Sequence, residues 1–357
     1  MPELVVLAEQ LLAPVPGGTG RYTAELLRAL AASVPEGWTV SSVVARHSDV
    51  EPARVAGVRG PRMLPLPRRA LVAAWRLGVP WWPGGDGVHA PTPLAPPRAP
   101  RGRTLTVTVH DTVPWTHPET LTPHGVSWHR SAVSRAARNA DALVVPTHAV
   151  AAELARHSPA RAPVHVVGHG VTELAGEEPM DLPERYVLAV GTVEPRKGID
   201  VLVEAMTELT DVPVPLLLAG QPGWGGLDPE RLAADAGLPP GRVRVLGRLT
   251  DARLATVLRR ATVLAVPSLA EGFGLPVLEG MAAGVPVVHS DAPALVEVAG
   301  GAGMVVPRRD PAALAAALRT VLTDEARVRE LAAAGRARAA EFSWLRAAEA
   351  VWALHTR

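Results

Sequence analysis

Short apolar runs alternate with helix-length stretches along almost the whole chain, and this alternation limits the fold more than any other feature. Runs such as Leu4–Ala8, Thr39–Val44, Thr104–Val109, Ala142–Val145 and Val164–Val167 are of strand length and rich in Val, Leu, Thr and Ala. Apolar strands that alternate with helical patterns argue a parallel α/β architecture. Between the first two runs, Tyr22, Leu26, Leu30 and Val34 recur every four residues, a helical period, behind an expected glycine-rich loop at Pro16–Gly20. The segment from Arg59 to Arg103 reads as irregular, rich in Pro, Arg and Trp.

A second series starts after a Glu-, Pro- and Gly-rich linker at Val171–Pro183. It comprises strands Tyr186–Val190, Val214–Ala219, Val243–Leu246, Thr262–Val266 and Val285–His289, with helices at Gly198–Leu209, Asp251–Arg260 and Pro276–Ala283. A helical, Ala-, Leu- and Arg-rich tail follows from Pro311. The expected architecture is α/β, with two doubly wound Rossmann-like domains facing a cleft: residues 1–175, residues 184–340, and a C-terminal helix at 341–357 packing back on the first. The length, 357 residues, suits two such domains. Ligands of open α/β sheets bind beyond the carboxyl ends of the strands, so functional residues are expected just after them.

Composition narrows the chemistry. The chain has no cysteine, which removes disulfides, thiolate metal sites and cysteine nucleophiles and fits a reducing compartment. A net charge of +1 gives no general argument for nucleic-acid binding. The N-terminus has no basic lead-in, its apolar run is interrupted at Glu9 and Gln10, and no stretch approaches a membrane-spanning length. The expectation is a soluble cytoplasmic protein. Of 36 basic residues, 35 are arginine and one is lysine, Lys197. That lysine lies in EPRKG, just after a strand.

The densest candidate site is Glu271–Gly284, EGFGLPVLEGMAAG, after the strand at Thr262–Val266. Gly272 and Gly274 permit close approach of backbone to ligand. Pro276 suits a first helical turn, and the helix start favours phosphate. Glu279, expected in the first turn, suits ribose hydroxyls; Glu271 suits a sugar hydroxyl. The competing reading is a helix whose acidic residues offset its dipole. Arg196 and Lys197 suit a diphosphate or, equally, a solvated basic pair. His110 and Asp111 follow the strand TLTVTV, whereas His117, His124 and His129 have spacings unlike common zinc sites, and neither HEXXH nor Asp-x-Asp occurs. PGGTGRY lacks the third glycine of a dinucleotide fingerprint. Arg59, Arg62, Arg68, Arg69 and Arg76 with Trp75, Trp81 and Trp82 suit a membrane surface or a lipid-linked acceptor, and equally a variable loop with buried tryptophan.

EGFGLPVLEGMAAGVPVV, VLAVGTVEPRKGIDVLVEAM and HDTVPWTHPE together resemble the family-four, or group 1, retaining glycosyltransferases of GT-B fold, and the combination of HD with EPRKG resembles their mannosyltransferase branch. The resemblance covers most of the chain. It implies that Glu271 contacts the transferred sugar, Glu279 the donor ribose, and the backbone of Gly272, Phe273, Gly274 and Leu275 the diphosphate and sugar. It also implies that Lys197 and Arg196 meet the diphosphate, that His110, with Asp111, positions the donor sugar, that Gly18 and Gly20 approach the donor or acceptor, and that backbone near Leu246, Gly247 and Arg248 reads the nucleobase edge. Where many members carry an arginine after the glycine corresponding to Gly191, this chain has Thr192, a gap that Arg196 would fill. His110, Lys197 and Glu271 are then the catalytic candidates. No metal or cofactor is implied beyond a nucleotide-sugar co-substrate, best guessed as GDP-mannose; the acceptor is a glycan, a lipid-linked species or a small molecule, and no nucleic acid is involved. The rival readings are a nucleotide-sugar 2-epimerase on the same fold, a non-catalytic nucleotide-sugar-binding protein, a pyridoxal phosphate-dependent phosphorylase and, least fitting, a nicotinamide dehydrogenase.

Overall fold

A computed structural model describes residues 1–172, 174, 176–223 and 225–356. The chain forms two compact units. The first comprises Met1–Pro118, Thr122–Gly170 and Ser343–Arg357; the second comprises Glu119–Leu121 and Val171–Phe342.

The first unit is built on strands β1 (Glu3–Leu7), β2 (Thr39–Arg46), β3 (Arg59–Pro67), β4 (Gly87–Ala90), β5 (Thr104–Thr108), β6 (Ala142–Val145) and β7 (Val164–Val166). All pair in parallel, in the order β3-β2-β1-β4-β5-β6-β7. The order reverses direction between β1 and β4, which opens a crevice beyond their carboxyl ends. β1, β4, β5 and β6 are buried almost throughout, as continuous apolar strands covered by helices should be.

The expected irregular segment is thus corrected: it contains β3, the helix Arg68–Arg76 and β4. β3 escapes recognition because prolines interrupt it, and it tolerates them because it is an edge strand, where an amide can be lost from the outer ladder. The tryptophans of this segment turn inward. Trp75 is buried, in the helix rather than in a loop, and Trp81 and Trp82 pack on the same core. The glycine-rich loop is also corrected: the helix runs Gly17–Ala32 and so takes in Gly17 to Gly20.

The final helix, Trp344–Ala353, belongs to this unit. Ala348, Val351 and Trp352 join Tyr22, Leu26, Leu27 and Leu30 in one apolar cluster. The Trp352 indole donates to the Leu30 carbonyl at 3.1 Å. A side chain at Gly170 would meet the Trp344 backbone nitrogen at 2.2 Å, so only glycine allows this docking.

The second unit holds β8 (Val187–Val190), β9 (Leu216–Ala219), β10 (Val243–Gly247), β11 (Val263–Val266), β12 (Val287–Ser290) and β13 (Met304–Val306). These too are all parallel, ordered β10-β9-β8-β11-β12-β13, with the reversal between β8 and β11. Helix Ile199–Thr207 and the long helix Pro311–Thr323 supply Leu202, Met206, Leu314 and Leu318 to its core. Among the described residues no helix is long and apolar enough to cross a membrane.

Candidate active site

In the second unit the chain leaves β8 at Val190 and returns through the 3₁₀ turn Pro195–Lys197, beside the end of β11. Gly198 ends that turn with φ +63°, and a Cβ there would lie 2.3 Å from the Pro267 carbonyl oxygen. The Leu269 amide donates to the Arg196 carbonyl at 2.8 Å. The glycine and this bond press the EPRKG turn onto the residues that follow β11, and so bring Lys197 to Glu271.

Four side chains converge there. Lys197 Nζ donates to Glu271 Oε1 at 2.6 Å, and Ser268 Oγ donates to the same oxygen at 2.8 Å. Arg196 donates to Glu271 Oε2 at 3.2 Å, to the Ala270 carbonyl at 2.9 Å and to Glu194 at 2.6 Å. Glu271 is 9% exposed, Lys197 16% and Arg196 18%, so the pairs are largely withdrawn from water and weakly screened. Burial alone would raise the Glu271 carboxyl. The charges of Lys197 and Arg196, with the Lys197 and Ser268 hydrogen bonds, outweigh it and hold the carboxyl down at about 2. A small cleft at the β8–β11 reversal is lined by Gly191, Thr192, Lys197, Val266, Pro267 and Ser268.

The other expected donor residues of this unit lie around the same strand ends or on the next edge. Gly274 caps the helix Leu275–Ala282 at φ +96°, and a Cβ there would strike Leu295 at 2.4 Å. No side chain caps this helix, and Pro276 falls in its first turn. Gly272 and Phe273 are buried in the loop before it, Phe273 edge-on to Phe342 at 5.7 Å. Glu279 is buried and lies in the second turn, not the first, because the helix begins one residue earlier than the sequence pattern implies. Leu246 and Gly247 end the edge strand β10, Gly247 at φ +69° and bridged to Gly220.

In the first unit, His110 stands two residues beyond β5. Its Nε2 lies 2.7 Å from the Pro91 carbonyl, at the end of β4. A carbonyl only accepts, so Nε2 carries the proton and Nδ1 is the acceptor. Burial lowers the His110 pKa against the opposing effects of the Pro91 bond and the Asp111 charge, which keeps the ring neutral at pH 7. Tyr22 packs edge-on against it, with centroids 4.6 Å apart at 84°. His169 sits 4.6 Å from Tyr22 and stacks on Trp344. Asp111 accepts from the Val113 amide at 3.1 Å and so shapes the turn after His110. Gly18 is exposed and Gly20 buried in the first turn of the helix that carries Tyr22; a Cβ at Gly20 would meet Pro16 at 2.4 Å.

Sequence reasoning missed Ser268, Glu194, Tyr22 and His169. Ser268 carries no motif of its own, and Glu194 opens EPRKG without a role of its own in the sequence reading. Tyr22 reads as an ordinary apolar-face residue, and His169 lies at the end of the segment Thr122–Gly170, far in sequence from His110. Among the described residues no group of three or more His, Asp or Glu side chains is placed to hold a metal ion.

The likeness to known proteins follows these two units. Residues 16–173 match the family described as Glycosyltransferase Family 4, and residues 184–324 match the one described as Glycosyl transferases group 1. The O-antigen chain mannosyltransferase B of Escherichia coli is 41% identical over 163 residues, covering 44% of this chain and 42% of that protein. The phosphatidyl-myo-inositol mannosyltransferase of Mycobacterium leprae is 37% identical over 156 residues, covering 42% of this chain and 40% of that one. The chain thus spans about two fifths of the length of these relatives. Sucrose-phosphate synthase from Thermosynechococcus elongatus superposes with a TM-score of 0.75 at 25% identity, covering 99% of this chain and 98% of that one. Anabaena HepE, solved in complex with UDP-glucose, shares the fold with a TM-score of 0.74 at 19% identity, over 99% of both chains. The parallel sheets with their reversals at β1–β4 and β8–β11, and the two matches that follow the two units, place this chain among the family-four, group 1 glycosyltransferases of GT-B fold.

Proposed function

We propose that the protein is a retaining hexosyltransferase that takes a sugar from a nucleoside diphosphate donor, GDP-mannose. The acceptor is a glycan, glycolipid or small molecule of cell-envelope polysaccharide or glycoconjugate synthesis. The observation that carries this reading is the buried Lys197–Glu271–Arg196 network at the β8–β11 reversal. An ammonium there suits a departing diphosphate, and Glu271 suits a hydroxyl of the transferred sugar. The mannose preference is supported by the names of the mannosyltransferase relatives.

In the reaction the bond from the sugar C1 to the diphosphate oxygen breaks. A new C1–O bond to the acceptor forms on the same face, and the acceptor proton passes to the leaving phosphate. The protein contributes charge stabilisation through Lys197 and orientation through Glu271 and His110. His110, neutral with Nδ1 as acceptor, suits a sugar hydroxyl. The backbone at Gly272, Phe273, Gly274 and Leu275 meets the diphosphate, Glu279 the ribose and the Leu246–Gly247 turn the base. On this reading the enzyme works in the cytoplasm and needs neither metal nor cofactor, so a chelator leaves its rate unchanged.

Thermal-shift measurements with GDP-mannose, UDP-glucose and UDP-GlcNAc test the donor. GDP-mannose is expected to raise the melting temperature most. A larger rise with a uridine sugar corrects the donor, and no rise with any nucleotide sugar contradicts the reading. Incubation with donor alone separates the 2-epimerase alternative, which would isomerise the sugar nucleotide. Peripheral membrane contact would fall to Arg68, Arg69 and Arg76 beside the exposed Leu77 and Val79. Flotation with anionic vesicles tests it, and protein left at the bottom of the gradient rejects it.

A further inference from the structure

We infer that Glu271 competes with the donor diphosphate for Lys197, and that this competition makes the site favour a nucleotide sugar over a bare nucleoside diphosphate. The inference rests on the reading of Lys197 as the diphosphate ligand.

Glu271 Oε1 takes a hydrogen bond from Lys197 at 2.6 Å and another from Ser268 at 2.8 Å, while Oε2 takes one from Arg196 at 3.2 Å. The carboxylate is therefore anchored on both oxygens, directly against the ammonium. Arg196 is in turn tied to Glu194 and to the Ala270 carbonyl. Two basic groups thus face two carboxylates, and the network is already close to neutral. A diphosphate reaching Lys197 brings further negative charge beside Glu271, in surroundings that screen it poorly. It must take a share of the ammonium from the carboxylate.

What Glu271 loses there, a sugar hydroxyl can replace, because the carboxylate then accepts a hydrogen bond from the sugar. A nucleoside diphosphate without its sugar offers no such donor, so the repulsion from Glu271 goes uncompensated. Glu271 therefore acts with opposite sign on the two ligands: it strengthens the hold on the sugar nucleotide and weakens the hold on the diphosphate product. Arg196 is a positioning residue in this scheme, through its bonds to Glu271 and Glu194. This differs from its expected role as a stand-in for the arginine that Thr192 replaces.

The test is calorimetric titration of the full chain with UDP and GDP, wild type against Glu271→Gln, alongside transfer assays. Glu271→Gln keeps the shape and removes the charge. The account predicts that the variant binds the better nucleoside diphosphate about tenfold more tightly, the scale of one charge-assisted contact, while kcat/KM for transfer falls about a hundredfold. Glu271→Asp keeps the charge but withdraws it by one methylene, and is expected to shift both quantities the same way by less. It serves if the glutamine variant does not fold. Unchanged or weaker nucleoside diphosphate binding in the variants overturns the competition. Failure of both nucleotides to bind wild type and variants alike overturns the functional reading on which it rests.

Discussion

The first unit gathers uncharged rings where the second gathers ions. Tyr22, His110 and His169 cluster beyond the first sheet, and behind them a buried chain of hydrogen bonds runs from Tyr22 through Thr108, His89 and Thr106 to His355. Burial holds His89 down at about 3 and His355 at about 4, so the chain is neutral at pH 7. In the second unit, burial acts on Glu271 in the opposite sense and is overcome by two neighbouring cations. Two sheets of the same winding thus present different chemistry at their carboxyl ends. Hydrogen-bonding rings suit hydroxyl recognition, and the ammonium within the ionic network suits a diphosphate.

The sharpest way to break this contrast is to remove the ammonium. Lys197→Ala is expected to lower kcat by about 10²–10³, the cost of deleting one stabiliser of developing charge. His110→Ala removes one neutral hydrogen-bond acceptor and is expected to lower kcat/KM by about tenfold. Equal losses from the two substitutions would erase the distinction. The pKa of His110 is lowered from 6.5, and the role proposed for it uses the neutral form, so the acid limb of the rate profile due to this group is expected below pH 6.5. A wild-type limb above that value, absent from His110→Ala, would contradict the assignment.

A smaller effect concerns stability. His89, His110, His129, His169 and His355 in the first unit have lowered pKa values; in the second unit His289 alone does. An unfolded histidine titrates near 6.5, so between that pH and the folded value the unfolded state binds more protons. The stability these groups supply is complete above pH 6.5 and is lost as pH falls, by at most about 1.4 kcal/mol per pH unit for each histidine. Glu271, held near 2, has the window below 4.5 instead. At pH 5, amides of the first unit should therefore lose protection from hydrogen exchange before those of the second. Simultaneous loss, or loss in the second unit first, would show that the ring cluster does not govern acid stability.

Much of this contrast is legible in the sequence, but unevenly. The solitary lysine in an arginine-rich chain and the Glu271–Glu279 spacing locate the ionic site, because charged residues beyond apolar strands stand out against their surroundings. The ring cluster does not stand out. Tyr22 occupies a helical apolar position, and its contact with His169 joins residues 147 positions apart through the order of the sheet. The start of the helix at Gly17 is masked because glycines read as loop, and the later position of Glu279 within its helix follows from a start at Leu275 rather than at the more obvious Pro276. Edge strand β3 is hidden by prolines that only an edge permits.

The central claim, that the ionic network of the second unit is the diphosphate site, is tested most directly by titrating wild type, Lys197→Ala and His110→Ala with GDP and UDP in a calorimeter. The account predicts that one nucleotide binds the wild type, that Lys197→Ala weakens it at least tenfold, and that His110→Ala leaves it within about twofold. Undiminished binding to Lys197→Ala would contradict it.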